Sequence, residues 1–157
     1  MLKKNTTAPS LRFLNVSLSK LLFELNDESI LYNTDKPIPF NITIEGNEAF
    51  DKKTLILSTS LRVKILEKEE KPPFKIETEV KARFKLDKAP EDIIRLARIN
   101  CAAMIFPFLR EAIADVTRRA GMSPLLLPPV NFLELFKNKI VPTTQATEKK
   151  KVQRGGL

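Results

Sequence analysis

Alternating apolar and polar positions predict four β-strands before residue 90. The clearest pattern covers residues 74–86, where an apolar or small side chain at every second position alternates with Lys, Glu or Arg. Similar alternation at residues 10–25, 38–46 and 54–67 predicts three more strands, separated by polar turns. In the first strand, strict alternation divides the apolar residues between the two faces, with Leu14, Val16 and Leu18 on one and Leu11 and Phe13 on the other. Such strands are typical of an antiparallel sheet with one buried and one hydrated side.

The second half of the chain follows the period of a helix. A long helix is predicted over residues 93–119, with Pro90 and two acidic residues at its start, basic residues in its last turn and Gly121 as its stop. Between residues 99 and 109 only Asn100 is polar, so this helix is apolar on nearly every side. A helix of that kind must be covered on more than one side. We expect its own sheet on one side and a second copy of the protein on the other.

These elements predict an α+β fold in which a four-stranded antiparallel sheet is packed by one long helix and one short C-terminal helix, at residues 132–138. A chain of 157 residues fits one domain, which we place at residues 10–140. Residues 1–9 are expected to form a flexible tail. Residues 141–157, which are basic and polar, are expected to form a disordered tail.

The chain is basic, with 27 Lys and Arg against 19 Asp and Glu and a formal charge of +8. This charge is compatible with acidic partners, nucleic acid or an anionic membrane surface and does not choose among them. The cations within residues 75–85 and 149–154 could hold phosphates. No aromatic residue shares the strand face or the tail segment that carries them, as base stacking would require, so the pattern favours a solvated surface over nucleic-acid binding.

The single cysteine, Cys101, lies in the apolar helix, so no intrachain disulfide can form and a reducing compartment is indicated. The uncharged apolar stretch of the long helix is far shorter than the ~20 residues of a membrane span. Residues 5–9 are polar or small where a secretory signal requires an apolar segment. We therefore expect a cytoplasmic protein without a membrane span.

The residues that most enzymes use are missing or badly placed. The chain has no histidine, which excludes histidine bases, histidine metal ligands and a Ser-His-Asp triad. Its four glycines have no phosphate-binding spacing. Cys101 has no histidine base beside it, and the paired acids Glu77 and Glu79 fall on the hydrated face of a strand. The sequence thus predicts a protein that is not an enzyme and has neither a cofactor nor a catalytic metal.

One long run carries a family resemblance. It reads Ile105-Phe106-Pro107-Phe108-Leu109-Arg110-Glu111 and continues through Ser123-Pro124-Leu125-Leu126-Leu127-Pro128-Pro129-Val130-Asn131-Phe132. Taken alone, Phe106-Pro107-Phe108 fits an ordinary core helix, bent near Ala103 by the proline. The whole run resembles the SecB export-chaperone family, in which a Leu-Phe-Pro-aromatic helix precedes a glycine turn and a leucine-rich Pro-Val-Asn-Phe loop. The similarity covers roughly residues 11–136.

The resemblance implies an ATP-independent holdase that binds unfolded preproteins for export and assembles as a dimer of dimers, with the long helices between subunits. On the long helix, the implied oligomer contacts are Cys101, Ala102, Met104 and Ile105. The implied client groove lies between the loop before the second strand and the short helix. Its candidate residues are Tyr32, Phe40, Leu126, Phe132, Leu133 and Phe136. Amphipathic spacing cannot separate a groove wall from a core position, so each of these could equally be an ordinary core residue.

By the same resemblance, Glu24 and Glu77 are candidate contacts for the motor protein SecA, which SecB proteins dock on through acidic surfaces. This chain is basic instead, and Lys20 stands four residues before Glu24, where the family has an acidic residue. Like charges would oppose docking on a basic motor segment. One alternative is therefore a SecB-like chaperone dedicated to the antitoxin of a toxin–antitoxin system. A second alternative, a basic nucleic-acid-binding module, rests on net charge alone.

Overall fold

An antiparallel sheet forms the base of the fold. The structure, a computed structural model, describes residues 8–32, 38, 40–66, 69–137 and the backbone of 150–155. The strands are β1 (Leu11–Leu25), β2 (Phe40–Asp51), β3 (Ile56–Ile65), β4 (Phe74–Leu86) and β5 (Lys150–Gly155), in the order β1-β4-β3-β2-β5. Strands β1 and β2 follow each other in the chain but are separated in the sheet by β4 and β3. The four predicted strands are confirmed, and the fifth is an addition.

Strand β5 corrects the prediction for the C-terminal tail. The sequence predicted disorder over residues 141–157, but Lys150–Gly155 pairs antiparallel with β2, from Phe40 opposite Gly155 to Ile44 opposite Lys150. Backbone groups form such a ladder without help from apolar side chains, and β2 would otherwise present an unpaired edge. Residues 138–149, 156 and 157 lie outside the described residues, as do residues 1–7 of the predicted N-terminal tail. The domain boundaries remain a prediction.

Two β-bulges change the face assignment within β1. The register against β4 shifts between Phe13 and Asn15 and again between Leu18 and Lys20. Each bulge adds one residue and resets the alternation. As a result, residues predicted on opposite faces share the helix-facing side of the sheet, at the positions paired with the core residues of β4: Leu11, Phe13, Val16, Leu18, Leu21, Phe23 and Leu25.

The long helix, α1, runs over residues 93–119 in three continuous parts: Ile93–Arg95, the π-helical turn Leu96–Cys101 and Ala102–Arg119. It begins three residues after Pro90, because the side chain of Asp92 accepts a hydrogen bond from the Arg95 N–H at 3.0 Å and caps the first turn. The helix continues through Pro107. Its departure from α-helical hydrogen bonding lies in the π-helical turn, immediately before Ala103.

Gly121 ends α1 as predicted. Its φ of +87° is in the left-handed region that glycine adopts without steric cost. The N–H of Met122 donates to the carbonyl of Thr117 at 3.0 Å, and the N–H of Gly121 donates to that of Arg118 at 3.1 Å. This is a Schellman cap. It turns the chain back, so that the following loop runs over the sheet toward the short helix α2, Phe132–Lys137.

The core lies between the sheet and one face of α1. Helix residues one turn apart, Ile105, Leu109 and Ile113, are 0–1% exposed. Opposite them, Leu57, Val63, Ile76 and Phe84 of β3 and β4 are fully buried. Burial of a Leu, Ile or Phe side chain contributes roughly 1.5–3 kcal/mol each. The residues of the sheet that face away from α1 are mainly charged or small.

Candidate functional site

The short helix presents one buried and one accessible face. Asn131 precedes it and accepts a hydrogen bond from the Glu134 N–H at 3.2 Å, and this cap fixes where the helix begins. Phe132 and Leu135 point inward and are 5% and 3% exposed. Leu133 and Phe136, on the other face, are half-buried. The boundaries of α2 confirm the prediction to within one residue.

The leucine loop before α2 also alternates. Leu125 and Leu127 are buried, whereas Leu126 between them is 67% exposed. The loop is tied to α1 by Thr117, which is fully buried: its hydroxyl donates to the Ile113 carbonyl at 2.8 Å and accepts from the Leu125 N–H at 2.9 Å. This fixed loop holds the side chain of Leu126 in solvent.

The segment after β1 approaches the same end of the fold. A 3₁₀ helix, Glu28–Leu31, is capped by Asp27, whose carboxylate accepts from the Ser29 N–H at 2.9 Å. Tyr32 follows it and is 83% exposed. The side chain of Leu31 comes within 3.8 Å of the position that a Cβ on Gly121 would occupy, so this segment lies beside the turn that leads into the leucine loop.

Two of the six predicted client residues are core residues. Phe40 is 4% exposed and packs in the core from β2, and the Phe132 ring lies edge-on to Phe106 at a centroid separation of 5.6 Å. Their spacing was compatible with a groove wall, but in the structure both side chains are nearly inaccessible to solvent. Tyr32, Leu126, Leu133 and Phe136 remain accessible.

An ion pair that the sequence did not predict supports α2 from below. Arg98, in the π-helical turn of α1, donates from Nη2 to Glu48 Oε1 at 3.0 Å and from Nε to Glu48 Oε2 at 3.2 Å. The two side chains are only 10% and 17% exposed. Both residues border a small void that is also lined by Phe132 and Leu135. The bidentate pair therefore fixes α1 to β2 directly beneath the short helix.

The predicted oligomer contacts differ in exposure. Cys101, Ala102 and Ile105 are 0%, 7% and 1% exposed within the single chain, where they belong to its own core, so as intersubunit contacts they remain a prediction. Met104, one residue away on the helix surface, is 38% exposed. Sequence periodicity could not choose the outward face of a helix that is apolar on nearly every side.

An apolar surface elsewhere on α1 and β1 was missed. Phe108 is 43% exposed, and its ring lies 6.4 Å from that of Phe13, which is 39% exposed. Beside them, Leu18 is 51% exposed and borders a groove of about 520 Å³ between β1 and α1. Leu14 and Leu21 add 39% and 42% exposed side chains on the same strand. The two bulges of β1 hid this surface from a strict alternation pattern.

The sequence matches the family described as preprotein translocase subunit SecB over residues 4–142. The chain belongs to the SecB family. The protein-export protein SecB of Mesorhizobium japonicum is 31% identical over 120 residues, which cover 76% of this chain and 60% of that protein. That of Nitrosospira multiformis is 29% identical over 144 residues, which cover 85% and 89%. The chain thus spans less than two thirds of the first of these relatives.

Two further comparisons extend the likeness. An uncharacterised protein of Methanocaldococcus jannaschii is 26% identical over 148 residues, 92% of this chain and 94% of that one. Among solved structures, the SecB-like chaperone Rv1957 of Mycobacterium tuberculosis, in complex with a ChAD peptide from the HigA1 antitoxin, superposes with a TM-score of 0.60. It covers 76% of this chain and 87% of that one at 14% identity. At that identity the likeness shows a shared SecB-like fold.

Glu24 and Glu77, the candidate SecA contacts of this SecB family member, lie on the same side of the sheet, the outward face. Glu24 is exposed and pairs in register with Lys75. Glu77 is bonded to Lys20 at 3.0 Å and lies 3.7 Å from Arg62. The hydrogen bond from Lys20 is the main reason why the pKa of Glu77 lies below its ordinary value. Lys20 therefore neutralises the acidic residue that the family resemblance singled out.

The charge pairing continues across the outward face. Arg62 of β3 contacts Glu79 of β4 at 3.0 Å, and Lys64 contacts Glu45 of β2 at 3.8 Å. Toward the other end of β4, Lys81 and Arg83 are exposed between short polar residues of β1 and β3. No aromatic residue occupies an outward position of β1–β4. This SecB-family chain thus presents a neutralised zone and a basic zone on the outward face.

The described residues contain few groups that could act as a nucleophile or bind a catalytic metal. Burial raises the pKa of the Cys101 thiol to about 12, which keeps it protonated and poorly nucleophilic near neutral pH. Among the residues that the structure describes, no three His, Cys, Asp or Glu side chains gather as metal ligands. Nor is any helix in this part of the chain long and apolar enough to cross a membrane.

Proposed function

We propose that this chain is an ATP-independent holdase chaperone that binds unfolded or non-native polypeptides in the cytoplasm and serves protein export. The proposal rests on one observation: the SecB motif folds into a fixed leucine loop and a capped short helix that leave Leu126, Leu133 and Phe136 accessible. Membership of the SecB family supports it. The expectation that the chain is not an enzyme belongs to the same proposal.

The geometry suits capture of an extended chain. Apolar side chains of a client would pack on Leu126, Leu133 and Phe136, while Tyr32 offers both a ring and a hydroxyl. Backbone hydrogen bonds to a client do not depend on its sequence, and an exposed apolar surface selects only for apolar side chains at the positions that it contacts. Such a surface therefore binds many unfolded chains weakly, without any step that consumes a nucleotide.

The test is suppression of aggregation. Purified protein should prevent aggregation of a chemically denatured enzyme after dilution, equally with and without ATP. A Phe136→Ser, Leu126→Ser double variant should lose at least about tenfold in client affinity, because loss of two buried apolar contacts is worth roughly 1.5 kcal/mol or more. Leu22→Ser, at a half-buried outward position of β1, is the matched control. Full aggregation at excess wild-type protein would refute the holdase function.

A second candidate is a chaperone dedicated to one antitoxin. It is favoured by the outward face, on which Lys20 and Arg62 neutralise Glu77 and thereby remove the acidic surface for SecA. The solved structure of a SecB-like chaperone in complex with an antitoxin peptide supports this candidate, since that protein has a similar fold. A pull-down distinguishes the two functions. SecA binding at physiological salt, with many clients, supports export, whereas binding of one antitoxin without SecA supports the dedicated role.

We also infer a homo-oligomer, a tetramer built as a dimer of dimers. The exposed apolar surface around Phe13, Leu18 and Phe108 supports this inference, since monomers rarely leave contiguous aromatic and aliphatic side chains in solvent. Strand β1, 15 residues long, lies at an edge of the sheet, with no strand beyond it among the described residues. An edge of that length invites pairing with another chain.

A further inference from the structure

The outer edge of β2 is occupied by a short strand of the chain's own C-terminal segment. Residues Phe40, Asn41, Ile42, Thr43 and Ile44 pair with β5, with Ile42 opposite Val152. Strand β2 is 12 residues long, whereas β5 has six. The rest of this edge, residues 45–51, has no strand beside it among the described residues. Strand β5 therefore covers only part of an edge that can accept more.

The occupied edge adjoins the proposed client surface. Phe132 and Leu135 of α2 border the same small void as Ile44 and Gly46 of β2, so α2 packs over β2 on the helix side of the sheet. The accessible residues Leu133 and Phe136 lie on this short helix. A chain bound along α2 therefore runs close to the edge at which β5 pairs.

The sequence of β5 predicts weak pairing with β2. Its sequence, Lys150-Lys151-Val152-Gln153-Arg154-Gly155, has one apolar residue in six and ends in glycine. Glycine and, to a lesser degree, Lys are poor strand formers. The ladder also contains an irregularity between Phe40 and Asn41. Backbone pairing thus supplies most of the attraction, and an extended client with apolar residues can supply the same ladder together with side-chain contacts.

We propose that the outer edge of β2 is a strand-accepting site for the extended client, and that Lys150–Gly155 is its resident, exchangeable occupant. The inference rests on the proposed holdase function. A client strand begins to pair at the open residues 45–51 and displaces β5 as its pairing extends toward Phe40. The C-terminal segment then acts as an internal competitor that sets the threshold affinity for capture.

The size of the effect follows from competition. When a site is free only a fraction of the time, apparent affinity falls by that fraction. An occupant that covers the edge roughly 70–90% of the time weakens client binding about three- to tenfold. Removal of residues 150–157 should therefore tighten binding by the same factor, and a free peptide of the β5 sequence added in excess should weaken it again.

Truncation removes three cations as well as the paired backbone. A pair of proline variants therefore separates the effect of backbone pairing from the effect of charge. The Asn41 carbonyl accepts from the Leu66 N–H at 3.1 Å, so the backbone polar groups of Asn41 face β3 and those of Ile42 face β5. Val152, opposite Ile42, then directs its N–H at β2. Val152→Pro removes that donor. Lys151→Pro, whose N–H points away from β2, is the matched control.

Client affinity is measured by fluorescence anisotropy of a labelled, thiol-blocked and permanently unfolded α-lactalbumin. In parallel, hydrogen exchange measures the protection of the β2 amides. Truncation and Val152→Pro should each tighten binding about three- to tenfold, with Lys151→Pro close to wild type. The Ile42 and Ile44 amides should lose protection in both disrupted variants and regain it when the client is added.

The outcomes are separable. If the truncated and Val152→Pro proteins bind the client as tightly as wild type, or more weakly, this inference is overturned and the holdase function still stands. If truncation tightens binding but neither proline variant does, charge rather than strand pairing is responsible, and the inference is also overturned. If no variant binds the unfolded probe, the proposed function itself fails.

Discussion

Cys101 shows how one buried position decides between chemistry and structure. The thiol is fully buried at the end of the π-helical turn of α1, and desolvation raises its pKa from 9.0 to about 12. A thiol reagent at pH 8 should therefore label the folded protein at least about 100-fold more slowly than the protein in urea, since the thiolate is nearly absent. Rapid stoichiometric labelling of the folded chain would contradict this burial.

The same thiol makes stability depend on alkaline pH. The unfolded chain releases the proton near pH 9, whereas the folded chain retains it to about pH 12. Between these values the unfolded state binds fewer protons, so the stabilisation is fully present below pH 9 and is lost as pH rises toward 12. Urea unfolding at pH 8 and pH 10.5 measures this loss. Cys101→Ala should show a smaller decrease than wild type, and an identical decrease would contradict the assignment.

Glu77 provides an acid-side counterpart. Its pKa is lowered from 4.5, chiefly by the hydrogen bond from Lys20. The stabilisation is therefore present above pH 4.5 and disappears as pH falls through the lower, folded-state pKa. Lys20→Met should move the pKa of Glu77 upward in an NMR titration of the side-chain carboxyl. Lys81→Met, four residues after Glu77 on β4, should leave the pKa of Glu77 nearly unchanged. If Lys81→Met shifted that pKa as much as Lys20→Met, a specific pair between Lys20 and Glu77 would be excluded.

Two buried threonines offer a matched test of hydrogen bonding. Thr117 bridges the Ile113 carbonyl and the Leu125 N–H, whereas the Thr78 hydroxyl is buried without a partner in the described part of the chain. Thr117→Val should destabilise by roughly 1–3 kcal/mol, because the buried Leu125 N–H loses its acceptor. Thr78→Val should be neutral or stabilising, because it removes an unsatisfied hydroxyl. Denaturant unfolding compares them, and equal losses would contradict the bridging role.

At the scale of elements, prediction from sequence succeeded where one local rule decided the outcome. Strict alternation located β4, and Gly121 located the end of α1. It failed where the rule was interrupted. One extra residue at each bulge of β1 reverses the alternation downstream, and sequence contains no marker for that insertion. The π-helical turn of α1 is equally unmarked in the sequence.

Arg98 and Glu48 illustrate an element joined to the sheet by geometry rather than by charge alone. Two of the guanidinium nitrogens, Nη2 and Nε, donate to the carboxylate at 3.0 and 3.2 Å, and both side chains are little exposed. Arg98→Lys keeps the charge but loses the two-pronged geometry, so we expect a loss of roughly 1–2 kcal/mol in unfolding free energy. Arg118→Lys, which pairs with Asp115 on the surface, is the control and should change stability by less than about 0.5 kcal/mol. Equal effects would contradict a special role for the bidentate pair.

At the scale of the whole molecule, the candidate site was predicted only in part, for a physical reason. The family motif led to the loop and helix of the candidate site, but groove and core positions share the same spacing. Phe40 and Phe132 are therefore indistinguishable from Tyr32 and Phe136 until the fold assigns their burial. The tail prediction failed because composition reports on side chains, whereas β5 pairs through its backbone. Long-range features such as a free sheet edge have no local signature in sequence.

The exposed apolar surface of α1 and β1 gives the assembly a test that is independent of client binding. Phe108 contacts Phe13 at the rim of the groove and is 43% exposed, so Phe108→Glu adds a charge without entering the core. In an oligomer that buries this surface, the carboxylate would lose its hydration without a partner, at a cost of several kcal/mol per subunit contact. Light scattering should then give the 17.9 kDa monomer, where wild type gives a dimer or tetramer.

The control for this experiment lies at the other surface. Leu126→Glu places the same charge on a side chain that is more exposed, at 67%, but belongs to the proposed client surface. It should keep the wild-type mass and lose affinity for an unfolded chain, whereas Phe108→Glu should change the mass first. A wild-type protein that is already monomeric would refute the assembly. Loss of mass in both variants would mean that the leucine loop itself contacts a second subunit, and the separation of the two surfaces would be wrong.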